Sequence, residues 1–348
     1  MRYIDGVKDR GVVISPSVIG EEFYKWDGGG IREAIVKKVD GVYRLSYDGA
    51  MPGKRHDSYW NVCEAVSVDL THWEKRGPML VASALAHPDS NGETYPDFCS
   101  ASSPWDYFDG KRWYRYYVGA DHCSPEGVPA FTYWTMLATA DSAEGPWHKE
   151  CEKPGKSNYV CLAAGEPGSW NDATVSPGAV IYCPEKELPY LMFYSGSCFG
   201  YTRRSLGIAR TKELSACDSA KKTVGNFWIK DKDPILPPAE DIENSSIYYE
   251  EENGLYWLFT NHIKDNMYTD AVWVYYSRDL ESWNVNDKAI VIDNIVSSFA
   301  RGAIGMPSVI RISDNKLALF YDATVDGSIS HLDRHIALAE IDLPIRLK

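Results

Sequence analysis

Acidic and basic residues recur in this chain just ahead of short apolar segments. They are Asp27 with Arg32 and Glu33, then Asp97, Asp172 and Glu243, and finally Arg301. Carboxylates that converge suit proton transfer about a C–O bond, where one protonates the leaving oxygen and another activates water or attacks from the opposite flank. Asp also precedes strands as an ordinary turn residue, a plainer reading that weighs on Asp27 and Asp97. Glu is a poor turn former, so Glu33 and Glu243 carry more weight. Trp26, Trp105 and Trp170 flank the acids; their rings can stack on a sugar face or pack a sheet. His262 and His122 follow later hairpins and can touch a ligand or serve as satisfied structural residues. Arg32 and Arg301 can bind a hydroxyl, carboxylate or phosphate, or pair with the neighbouring acids.

These residues act together only if a repeated element carries them to one place. One pattern recurs: a turn such as Asp-Gly or Asn-Gly, followed by an alternating aromatic and aliphatic strand. It reads DGVYRLSYDG, DGKRWYRYYVG, ELPYLMFYSG, NGLYWLFTNH and DNKLALFYDA, starting at Asp40, Asp109, Glu187, Asn253 and Asp314, at intervals of 69, 78, 66 and 61 residues. A short apolar segment precedes the copies and a third strand follows each, with edge phrases such as Leu70-Thr71-His72-Trp73, Glu144-Gly145-Pro146-Trp147 and Leu280-Glu281-Ser282-Trp283. Four strands in about 65 residues is a propeller blade with loops, and the turns are hairpin turns. The expected fold is all-β, a five-bladed β-propeller forming one domain over residues 1–348, with blades at roughly 31–80, 95–150, 170–215, 240–290 and 300–345. In that fold the residues before each innermost strand meet at one end of the axis.

Composition narrows the partners. The 348 residues include 12 Trp, 23 Tyr and 10 Phe, which suits strands and sugar stacking alike. A net charge of −13 argues against nucleic acid or an anionic membrane. No apolar run is long enough to span a bilayer. The opening MRYIDGVKDRG lacks an apolar leader core, compatible with a cytoplasmic chain or with a periplasmic or secreted one whose leader was removed. The 8 cysteines include no CxxC pair, so buried free thiols are expected ahead of a disulfide set. Dinucleotide, P-loop, Gly-x-Ser-x-Gly and His-Glu-x-x-His patterns are missing. Ser215 to Val224 reads as one helical turn or a loop.

The third-strand phrases Val68-Asp69-Leu70-Thr71-His72-Trp73-Glu74-Lys75 and Ala138-Thr139-Ala140-Asp141-Ser142-Ala143-Glu144-Gly145-Pro146-Trp147 resemble those of five-bladed propeller glycoside hydrolases, family 43 and its relatives in families 32, 62, 68, 117 and 130. The resemblance implies three acids at the pore mouth. Glu243, in Glu243-Asn244-Ser245-Ser246-Ile247, matches the general acid. Asp172, four residues before Ser176-Pro177, stands for the orienting carboxylate. Glu33, in Arg32-Glu33-Ala34, stands where Asp-Pro is usual and would be the base, with Asp27 in reserve. Asp27, Arg32, Asp97, Trp170, His262 and Arg301 would bind substrate. The resemblance further implies an inverting displacement on an oligosaccharide, with no cofactor required and room for a structural metal ion at the axis. Loops Met51 to Tyr59 and Ala84 to Asp97 would close a pocket suited to exo action. The alternatives are a glycoside phosphorylase or transferase, and a propeller that binds sugar without cleaving it.

Overall fold

Asp40 and Gly41 both adopt positive φ, 49° and 83°, as a two-residue type I′ hairpin turn requires. They join β2 (Gly30–Val39) to β3 (Val42–Ala50) in the computed structural model, which describes residues 2–53, 59–89, 95–123, 132–150, 160–199, 201–215, 227–264 and 268–348. β4 (Trp60–Ser67) and β5 (Glu74–Leu80) complete an antiparallel unit of four. The second unit is β6 (Ser100–Phe108), β7 (Trp113–Ala120), β8 (Trp134–Ala140) and a broken outer edge of β9 (His148–Lys149) and β10 (Val160–Leu162). The third is β11 (Thr174–Tyr182), β12 (Tyr190–Cys198), β13 (Tyr201–Thr211) and β14 (Ile229–Lys230). The fourth is β15 (Ile242–Glu250), β16 (Leu255–Lys264), β17 (Tyr268–Ser277) and β18 (Lys288–Asp293).

The last unit is β19 (Ile304–Ser313), β20 (Lys316–Thr324) and β21 (Arg334–Asp342), and its fourth strand comes from the opposite end of the chain. β1 (Val7–Ile14) pairs antiparallel with β21, from Val7↔Ile341 to Ile14↔Ile336. The repeat pattern begins near residue 31 and gives no hint of this closing strand. We take the five units as the blades of a propeller. Their packing is apolar: Ile31, Leu45 and Tyr47 of the first blade are buried against Phe320 and Leu338 of the last. Each such side chain contributes about 1.5–3 kcal/mol.

The edge phrases are turns of one design. Asp69 accepts the Thr71 and His72 amides, both at 2.8 Å, while Trp73 Nε1 donates to the Leu70 carbonyl at 2.7 Å. Asp279, Glu281, Ser282 and Trp283 repeat the arrangement, with Trp283 Nε1 donating to Leu280 at 2.9 Å. Contrary to the free-thiol expectation, Cys99 and Cys123 form a disulfide; Cys63, Cys161 and Cys183 are free and buried. Cys151, Cys217, residues 216–224, and residues 54–58 and 90–94 of the two pocket loops lie outside the described residues. No helix among the described residues is long and apolar enough to cross a membrane.

Candidate active site

Every inner strand carries a bulge at the same height. The register slips between Arg32 and Ile35, Ser102 and Trp105, Pro177 and Val180, Glu243 and Ser246, and Gly305 and Ser308. Bulges re-aim side chains and bend the strand. Glu33, Ser103, Asn244 and Met306 sit there at positive φ, between 48° and 64°, a costly backbone for side chains other than Gly that often marks a functional position. Their amides turn toward the preceding blade. Asp322 accepts from Glu33 N at 3.1 Å, Asp48 from Ser103 N at 2.6 Å, Ser195 from Asn244 N at 2.9 Å and Asn261 from Met306 N at 3.1 Å. The fifth step has neither partner: Pro177 has no N–H, and the corresponding β7 residue is Val118. A cavity of about 20 Å³, lined by residues of all five inner strands, lies on this ring. That is room for one water, so a sugar must bind above the ring rather than along the channel.

Around the ring stand four buried carboxylates, Glu33, Asp48, Glu243 and Asp322. Three guanidinium groups lie among them. Arg32 reaches Asp48 at 3.3 Å and Glu33 at 3.6 Å and stacks 4.4 Å above the Trp60 ring. Arg204 lies 3.6 Å from Glu243. Arg334, fully buried, pairs with Asp322 and donates to Thr269 at 3.2 Å. Burial pushes the Glu243 carboxyl above its ordinary range, Arg204 opposes that, and the Glu33 charge adds to it. Asp48 is pushed well up by burial and by Glu33, and Asp322 is raised by burial against the pull of Arg334. Burial disfavours the Arg204 cation, but Glu243 and the Tyr133 hydroxyl outweigh it and hold the guanidinium charged. A buried carboxyl whose pKa is raised, set beside a second carboxylate, is the pairing that acid–base chemistry uses.

The structure brings Arg32, Glu33 and Glu243 together and leaves the other sequence candidates elsewhere. Asp27 is a blade latch: it accepts Lys75 Nζ at 2.6 Å, Tyr47 at 2.9 Å and the Ser17 amide at 3.1 Å. Asp97 repeats it with Lys149 at 2.6 Å, Tyr117 at 3.1 Å and Ser83. Both acids are saturated inside their blades. Asp172 accepts the Gly168 and Phe199 amides at 2.7 and 2.8 Å and braces a loop, and Ser176 stands at the ring position equivalent to Glu243. Trp170 packs on Tyr194 with ring centres 5.7 Å apart, within a core cluster. His262 stacks on Trp273 at 4.4 Å and meets the Tyr275 hydroxyl at 2.9 Å, turned away from the ring that its neighbour Asn261 faces. Arg301 is exposed and donates back to the Ala300 carbonyl at 2.7 Å. Trp105, unlike Trp26 and Trp170, lines the axial cavity. Among the described residues no cluster of three or more possible metal ligands forms.

Asp48, Arg204, Asp322 and Arg334 are the charged residues that reading inner strands alone misses. A signal for the first of them existed. Aligned on their turns, the five repeats put Asp48, Val118, Ser195, Asn261 and Asp322 in one column. That column is polar in four copies at the end of an apolar strand.

Bladed sheets around a carboxylate-rich mouth define the architecture of β-propeller glycoside hydrolases, and solved structures agree. One described as a complex of BT0996 with RGII matches at 18% identity over 95% of this chain and 90% of its own, TM-score 0.68. A glycoside hydrolase matches at 18% over 96% and 92%, TM-score 0.67. The α-L-arabinofuranosidase PaAbf62A from Podospora anserina, in complex with cellotriose, matches at 12% over 96% of each chain, TM-score 0.61. No protein-family model and no curated protein matches this chain. At these identities the likeness establishes the fold.

Proposed function

We propose that this chain, acting as one propeller domain over residues 1–348, is a glycoside hydrolase that removes terminal sugars from a polysaccharide-derived oligosaccharide by a single inverting displacement. The observation that carries the reading is that Glu33 and Glu243, on inner strands of different blades, are both buried at the axial mouth and feel each other's charge. Glu243 donates its proton to the glycosidic oxygen as the C–O bond breaks. Glu33 takes a proton from water as that water attacks the anomeric carbon from the far side. Inversion needs the two carboxyls about 6.5–9.5 Å apart to admit the water. Arg204 holds Glu243 and Arg32 holds Glu33, which gives these two arginines the positioning role that sequence assigned to Asp172.

The pairing of the guanidiniums at the mouth favours water over phosphate as the acceptor. Four carboxylates face three guanidiniums, and each guanidinium already has a carboxylate partner. An incoming phosphate would have to displace one of these carboxylates from its guanidinium. A protein that only binds sugar has no use for a buried carboxyl whose pKa burial raises beside a second buried carboxylate, which argues against the non-catalytic alternative.

The test is a panel of aryl arabinofuranosides, aryl xylosides and matching oligosaccharides, with and without phosphate; an arabinofuranosidase among the fold neighbours puts the first group at the head. Glu243→Gln is expected to cut oligosaccharide turnover by about 10²–10⁴-fold. It should spare dinitrophenyl glycosides, whose leaving group needs no proton. NMR of the first-formed product should show the inverted anomer. Undiminished oligosaccharide turnover by the Gln variant removes Glu243 from its role.

A further inference from the structure

The ends of the inner strands opposite the ring carry aromatic residues that the axial site does not use. Tyr107 and Tyr114 lie on the β6–β7 hairpin, Tyr182 and Tyr190 on β11–β12, and Tyr249 and Tyr256 on β15–β16. Tyr107 meets Tyr190 edge-on at 6.0 Å, Tyr190 lies 5.0 Å from Tyr182, and Tyr249 lies 4.6 Å from Tyr256. Tyr182 is 51% exposed and Tyr249 47%. Beside the second cluster runs a groove of about 400 Å³, with Cys183, Leu191 and Tyr256 in its wall. Its charges are of both signs: Glu185, Asp279 and Glu281 stand with Lys186 and Arg278, Lys186 pairs with Glu281 at 3.1 Å, and Arg210 reaches the same carboxylate at 3.4 Å. Asn244 at the ring and Tyr249 are five residues apart on one strand, roughly 17 Å at the usual rise.

We propose that this face is a second carbohydrate-binding site, which takes a neutral polysaccharide chain across the exposed tyrosines and the groove beside Tyr256. Flat rings with hydroxyl tips stack on pyranose or furanose faces and bond their hydroxyls. Charged groups of both signs in the wall offer donors and acceptors to sugar hydroxyls. A chain held there remains on the protein while its ends are released and rebound at the mouth, which favours polymer over small substrates. The choice of glycan as occupant rests on the hydrolase reading above.

Native electrophoresis through gels containing arabinan, arabinoxylan or xyloglucan tests it. The wild-type chain should be retarded by at least one of the three. Tyr182→Ala/Tyr249→Ala, two exposed positions whose loss leaves the fold intact by thermal melting, should weaken that retardation about tenfold, equivalent to about 1.4 kcal/mol. Turnover of small aryl glycosides should be unchanged, and turnover of the polymer should fall. Glu243→Gln should be retarded like wild type. No retardation in any gel, or equal retardation of the double variant, overturns the proposal. Tyrosine-dependent retardation without turnover of any aryl glycoside would instead leave this site standing and remove the hydrolase reading.

Discussion

Replacing Lys149 by Met probes the latch that holds the second blade together. Lys149 bridges the Val81 carbonyl at 2.7 Å and Asp97 at 2.6 Å, and Asp97 is buried, with Ser83 and Tyr117 as further partners among the described residues. Removing the ammonium leaves an uncompensated buried carboxylate, which costs about 3–5 kcal/mol. For 348 residues unfolding as one unit, the unfolding entropy is roughly 0.7 kcal/mol/K, so Tm should fall by about 4–7 °C. The third blade shows how the cost is avoided. There Asn171 stands where the first two blades have Asp and donates to the Tyr194 hydroxyl at 2.7 Å, and Lys230 bonds the Ala163 carbonyl at 2.7 Å. Asp97→Asn/Lys149→Met should therefore be more stable than Lys149→Met alone by about 2 kcal/mol, read as a coupling energy in a double-mutant cycle by urea titration and calorimetry. A single variant within about 0.5 kcal/mol of wild type, or a double variant no better than the single, would refute the reasoning.

Other outcomes follow from the charges at the mouth. Arg204 favours the ionised form of Glu243, so Arg204→Met should let that carboxyl keep its proton to higher pH and move the alkaline limb of kcat/KM upward by about one pH unit or more. Asp48, Glu243 and Asp322 have folded values raised above the unfolded ones. Their contribution to stability is complete below the unfolded carboxylate range and is lost as pH rises through the folded values. Asp48→Asn should flatten that part of the dependence, seen as a smaller Tm difference between pH 5 and pH 8 than in wild type. Added phosphate should leave the turnover rate unchanged, and a phosphate-dependent rate would point to phosphorolysis.

How much of this was legible in the sequence depended on where each residue's partners lie. The blades could be read because strands alternate and hairpin turns restrict their residues, as Asp40-Gly41 does. Glu33 and Glu243 could be found because Glu is out of place before a strand unless something needs it there. Asp27 and Asp97 looked alike to them, since their lysines stand 48 and 52 residues downstream on outer strands. Arg204 and Arg334 are polar letters among others near the starts of β13 and β21, and nothing local tells an inward-facing arginine from an outward one. Tyr47-Asp48, Tyr117-Val118, Tyr194-Ser195, Thr260-Asn261 and Tyr321-Asp322 show the rule only after alignment. The first member points into its blade in four of the five pairs, where Tyr47, Tyr117, Tyr194 and Tyr321 meet Asp27, Asp97, Asn171 and Asp9. The second faces the ring.

The closing of the last blade by β1 has a mechanical consequence. Val7 at the start of β1 lies across from Ile341 near the end of β21, and Lys348 N donates to the Tyr3 carbonyl at 2.8 Å. Tension applied to residues 2 and 348 therefore falls on the same margin of one sheet. It breaks cross-strand bonds one after another, like a zipper, instead of shearing them all at once. The closed ring should yield to modest force when drawn apart at residues 2 and 348, with β1 peeling away before any other strand.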